Sequence, residues 1–198
     1  MKTFTGIDTL LASLKSAKGI ARRLLCLALV VAFSSCGDSP RSCFESAVLN
    51  CNMIQDFASK GMEQRLESPS VKLTDAKTGA FAPMTRKQVV DDKIAFVEQS
   101  LAKVRQLKLT DDNREMAQAS LALHEFVLSV YRNEYQGLAK LYDGGAPKGA
   151  IEQAASSIAT KYGAQFRALS ERLTAAGKTY AARHQIEVRW DIHTAPSP

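Results

Sequence analysis

Histidine and cysteine are scarce in this sequence, three and four among 198 residues, and their spacing excludes several chemistries at once. There is no Glu-x-x-His, the unit that di-metal helical bundles need on two helices. The pair His124-Glu125 lacks the second histidine of a zinc-protease H-E-x-x-H helix, and no C-x-x-C-H offers a haem attachment. Gly-x-Ser-x-Gly, the P-loop and Gly-x-Gly-x-x-Gly are all missing, which leaves nucleophile-elbow hydrolysis and nucleotide binding without an anchor. Aromatic residues make up only 7%, with a single tryptophan, so the chain has no base-stacking platform for nucleic acid. Apolar runs are short as well. The longest is the ten residues Leu24 to Phe33, half of what a membrane-spanning helix of about 20 residues requires.

That run follows Arg22-Arg23 and is trailed by small residues, the arrangement of a secretory signal, whose apolar core spans roughly 7–15 residues. Removing residues 1–35 takes away five of the 26 basic groups and one of the 20 acidic groups, so most of the net charge of +6 leaves with the leader. The remaining +2 is too small and too scattered for a nucleic-acid footprint. With no second run of spanning length, the mature chain is expected not to be an integral membrane protein.

Phe33-Ser34-Ser35-Cys36 resembles the lipobox of bacterial lipoprotein signal peptides. The resemblance covers the export signal and departs from the family's pattern at Phe33, where Leu or a smaller aliphatic residue is preferred. It implies that the Cys36 thiol is diacylated and that Cys36 becomes the new amino terminus once the leader is cut. The chain would then be anchored to a membrane by several acyl chains. A single chain holds only marginally, whereas two or more hold firmly. Gly37 stands where an inner-membrane retention Asp would be, which implies the outer membrane. A plain exported chain cut after Ala32 or Ser35 is the competing reading. Residues 36–42 read as a polar tether, 43–193 as the folded domain, and 194–198 as a disordered tail.

Within the domain, helical periodicity dominates. Ser42-Cys43-Phe44-Glu45 fits a capping box, opening a helix with Phe44, Val48, Cys51, Ile54 and Ala58 on one stripe. Cys43 and Cys51, eight residues apart on a continuous helix, would sit about 12 Å apart, beyond disulfide reach. Residues 67–84 hold Pro69, Gly79 and Pro83 and read as a long connection. Thr85 to Gln88 is a second capping box, with Val90, Ile94, Val97, Leu101 and Val104 behind it and an end near Leu107. A third helix is expected from Thr110 to Tyr142, stopped by Gly144-Gly145. A fourth follows Pro147, with a stripe from Ile151 to Tyr180. Ile186, Val188, Trp190 and Ile192 alternate with charged residues in strand fashion, and Val71 to Thr74 is the expected mate. The fold class is therefore all-α, a four-helix up-down bundle with room for a short two-stranded ribbon at one end.

Candidate site residues are few. His124 falls on the apolar stripe of the third helix, with Tyr131, Glu134 and Tyr135 one or more turns away. Its simplest role is a hydrogen-bonded core histidine without metal or other cofactor; the alternative is a small-molecule, metal or haem pocket shaped by those four residues. Asp91-Asp92 and Asp111-Asp112 read as dipole compensation at helix starts, and Lys161, Arg167, Arg172, Lys178 and Arg183 as a solvated face. The function expected is a non-enzymatic binding or interaction module, partnered by the membrane through its lipid and by an envelope protein or small ligand, with no nucleic acid.

Overall fold

The computed structural model describes residues 38–190. The leader, Cys36, Ile192 and the tail 194–198 lie outside them. The described chain is mostly helical with one two-stranded antiparallel ribbon.

Numbered from the first described helix, α1 runs Pro40–Ala47. It starts three residues earlier than the Ser42 box predicts. The Ser39 side chain accepts from the Ser42 N–H at 3.1 Å, and Pro40 fills the first helical position, where a missing N–H costs nothing. The expected continuous first helix is also broken. A 3₁₀ turn, Leu49–Ile54, follows, and α2, Lys60–Glu67, restarts after Ser59 caps the Gly61 N–H. Between them Ala58 adopts φ 50°, a left-handed conformation that costs a non-glycine residue about 1–2 kcal/mol. This kink drives Phe57 into the core, where it is 2% exposed.

The connection then forms a hairpin, β1 Val71–Asp75 and β2 Ala80–Pro83, closed by Gly79 at φ 69°. The Asp75 side chain accepts from the Lys77 N–H at 2.7 Å, a turn that local hydrogen bonding stabilises. The Val71 strand thus pairs with Ala80–Pro83 and not with the C-terminal segment. Residues 186–190 carry no strand. Their alternation is nonetheless real, because Ile186, Val188 and Trp190 turn inward onto the helices while Glu187 and Arg189 face solvent.

Helix α3, Arg86–Gln106, opens on the predicted capping box with both reciprocal bonds made. Its next two amides are capped from a distance: the Asp143 carboxylate accepts from the Arg86 and Lys87 N–H groups, each at 2.9 Å. Helix α4, Arg114–Val130, passes through a π-helical segment, Tyr131–Tyr135, into α5, Gln136–Asp143. Gly145, at φ 67°, closes α5 as a helix stop. The last helix, α6, runs Lys148–Arg183. Helix α4 packs on α3 and α6, and α5 packs on the same two, while α1 and α2 cover the remaining core. At Gly177 a Cβ would stand 3.1 Å from Val48 and 3.3 Å from Trp190, so this glycine lets α1 and the C-terminal segment close over α6. There Phe44 meets Trp190 edge-on at 5.8 Å.

Candidate functional site

His124 lies on the buried stripe of α4 with none of its surface exposed. Its Nδ1 stands 2.8 Å from the Ser120 carbonyl oxygen one turn earlier. A carbonyl only accepts, which assigns the proton to Nδ1 and leaves a lone pair on Nε2. That lone pair faces Cys51 Sγ at 3.9 Å, across from the 3₁₀ turn. Ser120 Oγ donates to the Ala47 carbonyl at 2.7 Å and so ties α4 to the end of α1. Burial lowers the His124 pKa against the pull of the Ser120 carbonyl, and burial pushes the Cys51 thiol up to about 12. Both groups rest neutral, the opposite of the thiolate–imidazolium pair of cysteine nucleophiles.

Tyr131 and Tyr135 occupy a different environment. The Gln136 N–H reaches back five residues to the Tyr131 carbonyl, and this wider turn brings both phenols into an aromatic cluster centred on Phe57. The Tyr131 and Tyr135 rings lie 5.6 and 5.9 Å from it, and Phe126 and Phe166 complete the group at 5.8 and 4.8 Å. The Tyr135 hydroxyl accepts from the strained Ala58 N–H at 2.9 Å. Among the described residues the buried Tyr131 hydroxyl has no hydrogen-bond partner. Burial raises both phenol pKa values.

Glu134 points the other way, into a groove of about 420 Å³ between the π segment, α5 and α6, floored by Leu138, Leu141, Ala154 and Ile158. Its carboxylate accepts from Tyr162 at 2.5 Å and Lys161 at 3.2 Å, and the Tyr162 hydrogen bond, with that from Lys161, holds its pKa below the usual range. The polar rim is therefore already self-satisfied. The four residues expected to share one pocket occupy three environments, and no hydrogen bond or ring contact links His124 to the other three.

Sequence reasoning missed two features. Lys93, only 8% exposed, donates to the Met53 carbonyl at 2.7 Å and to both Asp56 oxygens at 2.8 and 2.9 Å, and Arg65 reaches Asp56 at 2.8 Å. Its helical phase, three residues after buried Val90 and four before Val97, was the available signal. Among the supposed solvated cations, Arg183 pairs with Asp112 at 2.6 Å, as does His184 at 2.5 Å, fixing the start of α4 to the end of α6.

The second feature is the exposed apolar face of the ribbon. In its register Val71 opposes Pro83 and Leu73 opposes Phe81, so all four side chains share one face. Val71, Leu73 and Phe81 are 62, 50 and 66% exposed, whereas Ala82 on the opposite face is partly covered. Comparison with protein-family models, curated proteins and solved structures finds no match to this chain. Among the described residues no helix is long and apolar enough to cross a membrane, and no three His, Cys, Asp or Glu side chains converge as a metal site.

Proposed function

We propose that this chain is a lipid-anchored protein of the cell envelope, held to the outer membrane through Cys36, that works as a non-enzymatic interaction module docking a partner protein on the apolar face of its ribbon. The single observation carrying the docking surface is the side-by-side exposure of Val71, Leu73 and Phe81. Contiguous apolar exposure on a soluble domain marks an interaction site. Each such side chain contributes about 1.5–3 kcal/mol when fully buried, enough to offset part of the cost of association.

A protein partner fits this face better than lipid does. Among the described residues the two strands pair only with each other, so their outer edges offer backbone N–H and C=O groups that another strand can satisfy. Hydrocarbon cannot. The anchor supports an envelope partner, since the described helix begins only four residues after Cys36. A four-helix up-down bundle belongs to the same reading, supported by the short links at 107–113 and 144–147 and by the packing of α3 and α6 on α4 and α5.

A photo-crosslinking residue at Phe81, in the full chain in its host, tests the proposal. The expected result is one discrete protein adduct, absent when the probe stands at exposed Arg172 on α6. Equal adducts from both positions, lipid adducts only, or none at Phe81 would overturn it.

A further inference from the structure

We propose that Cys51 and His124 form a two-donor site for a soft monovalent metal ion, copper(I), independent of the ribbon reading above. Three observations carry it. First, the Nδ1–H of His124 is fixed on the Ser120 carbonyl at 2.8 Å, the outer-sphere bond that metal-binding histidines almost always make, because it sets the tautomer and aims the other nitrogen. Second, among the described residues the freed Nε2 has Cys51 Sγ as its one polar neighbour, at 3.9 Å. That is a poor hydrogen bond for a fully buried imidazole, and the thiol's other neighbour, the Ala47 carbonyl, is 3.8 Å away. Taking zinc's bonds to sulfur and nitrogen, about 2.3 and about 2.0 Å, as the guide, two donors stand about 3.5 Å apart around a tetrahedral ion and about 4.3 Å apart around a linear one. The observed separation lies between them, so a shift of a few tenths of an ångström seats an ion.

Third, the surroundings select the ion. No further His, Cys, Asp or Glu among the described residues converges on the pair, so zinc would lack the four ligands it takes, whereas thiolate donors favour copper(I). Charge selects in the same direction. Binding breaks the Cys51 S–H bond, releases the proton to solvent and forms a metal–sulfur bond, while His124 donates its Nε2 pair without losing a proton. A monovalent ion thus replaces one positive charge with another, and the site stays neutral. A divalent ion would leave a net charge in apolar surroundings, which is costly. Cys51 is half-buried and its neighbours Asn52 and Met53 are exposed, so the pair lies close beneath the surface.

The test is anaerobic titration of the full chain with copper(I) against a chromogenic chelator, with zinc in parallel. Parent protein should bind one more equivalent of copper(I) than Cys51→Ser, and His124→Gln should weaken that equivalent at least 100-fold. Cys43→Ser should leave it unchanged. Silver(I) should protect Cys51 from alkylation, read by mass spectrometry, which gives an answer even where His124→Gln fails to fold. Unchanged stoichiometry in Cys51→Ser, no protection by silver(I), or zinc binding as tight as copper(I) would overturn the proposal.

Discussion

Replacing Tyr131 by Phe removes one oxygen atom that is buried without a partner among the described residues, and the outcome follows from which neighbour loses what. The ring, edge-on to Phe57 at 5.6 Å, is retained, so packing changes little. A buried polar group left unmade costs about 1–3 kcal/mol, and deleting it recovers that cost less a small void. Tyr131→Phe is therefore expected to stabilise the fold by about 1 kcal/mol, a rise of roughly 2–4 °C in Tm for a domain of this size. Tyr135→Phe is the matched control with the opposite sign. Its hydroxyl accepts from the Ala58 N–H at 2.9 Å, and removing it orphans that amide at a residue already held at φ 50°. The expected loss is about 1–3 kcal/mol. Urea unfolding followed by circular dichroism reads both variants on one scale. A loss of stability in Tyr131→Phe comparable to that in Tyr135→Phe would refute the reasoning, since it would mean that the Tyr131 hydroxyl is partnered in solution.

Gln185 sits at φ 53° where α6 ends, with the Ile186 N–H reaching the Ala181 carbonyl at 2.9 Å; this is the position where glycine is favoured, so Gln185→Gly is expected to raise stability by about 0.5–1 kcal/mol in the same unfolding assay. Asp143→Ala is expected to cost about 0.5–2 kcal/mol by removing the side-chain cap of two exposed first-turn amides of α3, and hydrogen exchange should accelerate at Arg86 and Lys87 before the rest of the helix. Lys93→Ala, which takes from Asp56 its most buried partner and from the Met53 carbonyl its donor while Arg65 stays, is expected to cost about 1–3 kcal/mol, whereas Arg65→Ala, at a side chain 47% exposed, should cost under about 1 kcal/mol. Equal losses in those two variants would contradict the assigned burial.

The long helices were legible from their periodicity, with capping in agreement at the start of α3, whereas α4 begins at Arg114 and not at the expected Thr110, whose backbone N–H is taken by the Asn113 side chain in a turn before the helix. Thr85 and Gln88 sit three apart before an apolar stripe, and Gly144-Gly145 stops α5 before Pro147 starts α6. The first helix misled because its stripe does not break at the break. Val48, Cys51, Ile54 and Phe57 are spaced by three, the period of a 3₁₀ turn, and that spacing passes for one face of an α-helix. The ribbon partner was misjudged for a related reason. Strict alternation at 186–190 reports one covered face and one wet face, and here the covering is helices, not a strand. Val71 to Asp75 instead pairs with the segment four residues further on, where closing the loop costs least entropy. The candidate site was legible only as single residues. His124 was visible on its stripe, but Cys51 is 73 positions away in sequence and meets it only through the Ala47 to Ser120 contact. Glu134 left the expected pocket because the π segment carries it toward α6.

The anchor at Cys36 is the claim on which the envelope reading stands, and simple membrane association is the wrong readout, since an uncut leader also associates. Metabolic labelling of the host with a fatty-acid analogue is direct. Incorporation into the parent chain and none into Cys36→Ala is the predicted result. An unlabelled parent recovered from a soluble periplasmic fraction would contradict the account.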